Sequence, residues 1–124
     1  MRKRHGSSHA EHAALLSEIA GAVVARTMDD LPVPVRHVLS RIPILLERLP
    51  SREDILTGLE PDTLGRYEED EQGLARIRIW IENVWDYSDC DEGIFREEIQ
   101  TTLLHEIGHA LGWDEDDLEE RGLG

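Results

Sequence analysis

The chain has a single cysteine, Cys90, in 124 residues, so no disulfide can form within it. That points to a reducing, cytoplasmic compartment. Flanked by Asp89 and Asp91, this thiol is also a poor nucleophile candidate. Basic side chains are scarce: 13 Lys and Arg against 27 Asp and Glu leave a formal charge of −14. So acidic a surface repels phosphate, which excludes nucleic acid and anionic membranes as natural partners. No apolar run approaches the roughly 20 residues needed to cross a bilayer. The best, Ala13 to Ala25, is interrupted by Ser17 and Glu18, and the polar stretch His5 to His12 separates it from the basic start. A secretion signal is disfavoured on the same ground. Repeats and low-complexity stretches are absent too.

What is present, 40% hydrophobic and 32% charged residues, suits one folded domain. We expect a flexible tail over 1–10 and a single domain over 11–124, as a monomer or a homodimer. Apolar residues Leu15, Ile19, Ala22, Val23 and Met28 recur at helical spacing from Ala10 to Asp30, where Pro32 ends the pattern. A short helix is expected over Val33 to Leu39 and a strand over Ile42 to Leu46, with Pro43 tolerable only at a strand's start or on an edge. Ser51 to Asp54 reads as a capping box opening a helix that runs to Gly58. A short strand over Leu64 to Tyr67 and an acidic hairpin loop, Glu68 to Glu71 closed by Gly73, follow. The clearest strand is Ala75 to Glu82, with Ile77, Ile79 and Ile81 on a core face and Arg76, Arg78, Trp80 and Glu82 on a face expected to be partly wet. Asp86, Asp89, Asp91 and Glu92 read as an acidic loop whose spacing does not fit an EF-hand.

Chemistry concentrates in the helix expected over Phe95 to Leu111, which contains His105-Glu106-Ile107-Gly108-His109. At about 100° per residue, the two histidines project within about 40° of each other, with Glu106 about 100° round from His105. Leu103, Ile107 and Leu111 take the opposite side. Two nitrogen donors with an adjacent carboxylate are what H-E-x-x-H hydrolytic metal chemistry requires. Gly112 stands where the helix must end and the chain must turn. Beyond it, Asp114, Glu115 and Asp116 place carboxylates where a returning chain could complete a tetrahedral site. The five-residue motif alone would arise by chance in roughly four such chains per hundred, but Gly112 and an acid at Glu115 lower that to below about one in a thousand.

His105, Glu106, His109, Gly112 and Glu115 resemble the H-E-x-x-H-x-x-G-x-x-Asp pattern of zincin metallopeptidases with a carboxylate third ligand. More closely, the chain resembles the short bacterial zincin-like metallopeptidases called mini-zincins. Asp29-Asp30-Leu31-Pro32, Leu64 to Tyr67, the Ile77-Arg78-Ile79-Trp80 strand and Thr102-Leu103-Leu104 occur in that family's order, from about Met28 to Leu118. The resemblance implies a small α+β domain. Its active-site helix would pack on a twisted mixed sheet of about three strands, with a helix at the N-terminal end. One departure is that Glu115 stands where Asp is usual, which leaves Asp114 and Asp116 as alternative third ligands.

The function expected is that of a zinc-dependent peptidase acting on a peptide or protein substrate. Zn²⁺ would be held by neutral His105 and His109 plus Glu115, with Glu106 as general base towards a zinc-activated water. Tyr67, Tyr87 and Arg66 are candidate oxyanion stabilisers. The Arg76 to Glu82 strand is the expected docking strand for an extended peptide. The competing reading, from another class, is a metal-binding interaction module without hydrolytic activity.

Overall fold

The computed structural model describes residues 5–120, for 5–9 and 118 the backbone only. Its elements are α1 (His5–Asp30), α2 (Val33–Leu39), β1 (Ile44–Glu47), α3 (Arg52–Leu56), β2 (Gly65–Glu69), β3 (Ala75–Trp80), α4 (Ile81–Tyr87), α5 (Glu92–Ala110) and α6 (Glu115–Glu120). The architecture is α+β. Helices α1 and α5 pack together on a three-stranded sheet of order β1-β3-β2, with β1 parallel and β2 antiparallel to the central β3.

Alternation along β3 fixes the core. Ile77 and Ile79 are buried with Leu16, Ile19 and Ala20 of α1 and Phe95, Ile99, Leu103 and Ile107 of α5. Fully burying an aliphatic side chain of this size contributes about 1.5–3 kcal/mol, so this face holds the long helices to the sheet. Pro43 stands just before β1, an edge strand, where its missing N–H leaves no gap in the ladder. The capping box at the head of α3 is formed: Ser51 Oγ accepts from the Asp54 N–H (3.0 Å) and Asp54 Oδ2 from the Ser51 N–H (2.8 Å).

On the opposite face of β3 Arg76 is exposed as expected, but Arg78 is only 7% exposed and Trp80 fully buried. The Arg78 guanidinium donates to Glu47 (2.8 and 3.0 Å), Asp54 (2.7 and 2.9 Å) and Glu68 (3.3 Å). It also lies 4.7 Å from the centroid of the Trp80 ring. One side chain thereby ties β1, β2 and α3 together, as a buried charge must be paired to be tolerated. Hydrogen bonds from Arg78 hold the Asp54 carboxyl well below the usual carboxylate range. Period-2 patterning cannot tell such a buried ionic face from a solvated one.

Three boundaries also differ. The first helix starts at His5, so the described part of the stretch expected as a tail is helical. Nothing between Ser7 and Ala20 breaks a helix, and residues 1–4 lie outside the described ones. Strand β3 stops at Trp80 and Ile81 opens α4, because Ile81 and Val84 bury one helical turn apart. Much of the expected acidic loop is therefore helix. Asp86 and Tyr87 finish α4, Asp89 and Cys90 turn the chain with φ of 54° and 57°, and Asp91 caps α5 by accepting from the Ile94 N–H at 2.9 Å.

Candidate metal centre

Helix α5 positions the motif by burying its other face. Phe95, Ile99, Leu103 and Ile107 are at most 3% exposed, and their spacing turns His105 and His109 to the rim of the core. The two rings sit edge-to-face with centroids 4.9 Å apart. Glu106 lies between these sides and is 8% exposed. Its Oε1 accepts from the Tyr67 backbone N–H at 2.7 Å.

That bond exists because β2 crosses α5 closely. Trp80 N–H donates to Leu64 C=O, so in an antiparallel ladder Leu64, Arg66 and Glu68 bond to β3. Gly65, Tyr67 and Glu69 then turn their backbone groups to the free edge. A Cβ on Gly65 would stand 2.6 Å from Thr102 Cγ2 and 3.6 Å from Glu106 Cγ, closer to the former than real side chains come. Only glycine lets the edge strand lie this low over the helix.

After α5 the chain reverses in a Schellman turn. Trp113 N–H donates to Gly108 C=O and Gly112 N–H to His109 C=O, both at 2.9 Å, with Gly112 at φ +88°. The turn brings Trp113 C=O 3.0 Å from His109 Nδ1. A carbonyl only accepts, so Nδ1 carries the proton and a neutral His109 has Nε2 bare, the tautomer a metal needs. Helix α6 then presents Glu115 Oε1 at 2.9 Å from His105 Nε2 and 3.4 Å from His109 Nε2. Zinc bonds of about 2.0–2.1 Å in a tetrahedral shell separate neighbouring donors by roughly 3.3 Å, a value that the two separations made by Glu115 bracket. His105, His109 and Glu115 are the one donor group of three or more among the described residues, their ligand atoms all within 4.8 Å of one another.

Of the alternative third ligands, Asp114 is engaged in capping α6. Its Oδ1 accepts from the Asp117 N–H at 2.9 Å, while Asp117 Oδ2 accepts from the Asp114 N–H at 3.2 Å. Asp116 is exposed and stands outside the donor group. The Tyr67 phenol donates to Glu69 at 2.7 Å, a bond that raises its pKa; at the site Tyr67 contributes its backbone N–H instead. Arg66 lies on the sheet's other face, 3.8 Å from Glu68. Tyr87 borders a cavity shared with His105 and Glu106. The expected docking strand is corrected as well: β3 is central with both edges paired, so the open edge at the site is that of β2. Sequence reasoning missed Gly65, although a glycine inside a strand is itself a signal of close backbone approach.

The family model for zincin-like metallopeptidases matches residues 28–124. That span begins near the end of α1 and includes the sheet, α5 and the α6 turn. No curated protein matches the chain.

Proposed function

The chain belongs to the zincin-like metallopeptidase family, and from that premise we propose that it is a zinc-dependent peptidase built on His105, His109, Glu115 and Glu106. The observation that carries this reading is the carboxylate oxygen of Glu115 lying between two imidazole nitrogens, with the buried Glu106 of the same helix as the imidazoles held against an open strand edge. Zinc, when bound, supplies Lewis acidity to a peptide carbonyl and a source of hydroxide near neutral pH.

The chain's own groups do the rest. The Trp113 carbonyl fixes the His109 ring through Nδ1–H and keeps Nε2 available as a donor. Tyr67 N–H holds one oxygen of Glu106, which leaves the other to take a proton from the attacking water and pass it to the departing amine. The free edge of β2 pairs with an extended peptide through the backbone groups of Gly65 and Glu69 and the Tyr67 carbonyl, the Tyr67 N–H being taken by Glu106. With the Tyr67 phenol committed to Glu69, Tyr87 is the phenol left for the developing oxyanion.

Zinc content and hydrolysis of an unfolded protein, measured side by side on three proteins, test this. The parent and Glu106→Gln should each hold about one zinc per chain and His109→Ala none. Hydrolysis should fall about 10²–10⁴-fold in Glu106→Gln, the usual worth of a positioned general base. A zinc-loaded parent that cleaves nothing in a mixed peptide pool would defeat the proposal and leave a metal-binding interaction module.

A further inference from the structure

The helix stripe that carries His105 continues beyond the metal site. Glu98, Thr101, Thr102, His105 and Glu106 follow at offsets of three and four residues, which keeps them on one side of α5. Together with Leu64, Gly65 and Tyr87 they line a cavity of about 270 Å³. Ligand pockets run to roughly 300–1,000 Å³, so this one suits a single side chain rather than a whole small molecule.

Its chemistry is uneven. Leu64 and the Tyr87 ring give apolar wall, and no lysine or arginine lines it. Two carboxylates do. Glu106 is hydrogen-bonded to β2, whereas Glu98 is half-buried and the ion pairs of the described residues do not include it. Seven residues separate Glu98 from His105, about 10 Å along the helix axis. A long side chain leaving a substrate beside the metal site covers much of that span, with Glu98 reaching to meet it. Apolar walls, an aromatic face and a carboxylate at the far end together accept a methylene stem tipped by a cation.

We infer that this cavity is a substrate subsite for lysine or arginine and that Glu98 sets the charge preference, an inference that rests on the peptidase reading and deepens it. It is tested by binding, so hydrolysis is not the readout. Zinc-loaded Glu106→Gln protein is titrated by NMR with capped pentapeptides that carry lysine, arginine, norleucine or glutamate at each position in turn, in an otherwise alanine sequence. Lysine and arginine peptides should bind at least tenfold tighter than the norleucine and glutamate ones at one position. Adding Glu98→Lys should abolish or reverse that order. Glu97→Lys, an equal change of net charge at an exposed neighbour, should leave it intact. Equal affinities, no binding by any peptide, or a preference that survives Glu98→Lys or drops equally in Glu97→Lys would overturn the assignment. The peptidase reading fails separately: a parent that cleaves none of these peptides, while the Glu106→Gln protein still ranks them by charge, leaves the subsite standing without hydrolysis.

Discussion

Two parts of the candidate metal centre are held in very different ways. His105, Glu106 and His109 ride on α5, whose 19 residues bury Phe95, Ile99, Leu103 and Ile107 against the sheet and α1. Glu115 comes from α6, a helix of six residues, all acidic except Leu118, and its side chain is 63% exposed. A helix that short is marginal by itself, and Glu119 and Glu120 at its C-terminal end oppose the helix dipole. The imidazoles are therefore placed by core packing. The carboxylate is placed by a turn, by a reciprocal Asp114–Asp117 cap and by whatever positive charge it meets. Fold stability and metal affinity should separate along this line.

The largest effect lies on the α5 side. Leu103 is fully buried beneath the histidines, and Leu103→Ala should lower the unfolding free energy by about 2–5 kcal/mol. Chemical denaturation measures it, and zinc affinity of the folded fraction should hardly change. A loss of affinity without a loss of stability would break the comparison. Next comes the contact between helix and edge strand. Gly65→Ala puts a methyl against Thr102 Cγ2 and should cost about 1–3 kcal/mol of overpacking. It also lifts Tyr67 N–H away from Glu106, so hydrolysis should fall while zinc stays bound. Thr102→Ala removes the obstructing methyl, and in the double variant activity should recover. If Thr102→Ala restores nothing, the close approach is not what Gly65 provides.

The same contrast shows how much the sequence revealed. The α5 side was legible because it rests on periodicity. His105, Glu106 and His109 share a register with Leu103 and Ile107, and helical spacing alone puts metal face and core face on opposite sides. The three strands and their mixed α+β arrangement were legible too. Elements fixed by long-range encounters were not. Arg78 reads as a solvent-facing residue until Glu47, Asp54 and Glu68 arrive from three other elements. The strand order that makes β3 central has no local signal, so the sequence points to β3 and not to β2 as the strand with an open edge. Ile81 fits both the strand pattern and the next helix, and only burial of Val84 beside it decides. For the third donor the sequence offered three neighbouring acids. What takes Asp114 away is the cap of α6, a contact between residues three apart, while Asp116 stands outside the donor group.

That cap yields the smallest of the expected effects and the sharpest test of the comparison. Asp114→Ala removes the acceptor for the Asp117 N–H, a loss of about 1 kcal/mol at a helix N-terminus. Because α6 is a surface piece, the loss should appear in the population of the arrangement that presents Glu115 and not in global unfolding. A binding-competent fraction reduced by that free energy weakens zinc affinity about fivefold, while the denaturation midpoint moves little. Metal removal should expose the same division in the parent. On chelation, amide hydrogen exchange should speed up in α6, where five acidic side chains lose their counter-charge, and stay slow along the buried stripe of α5. Should Asp114→Ala destabilise the whole domain as much as Leu103→Ala does, α6 would be part of the cooperative core. The carboxylate would then be as firmly placed as the imidazoles.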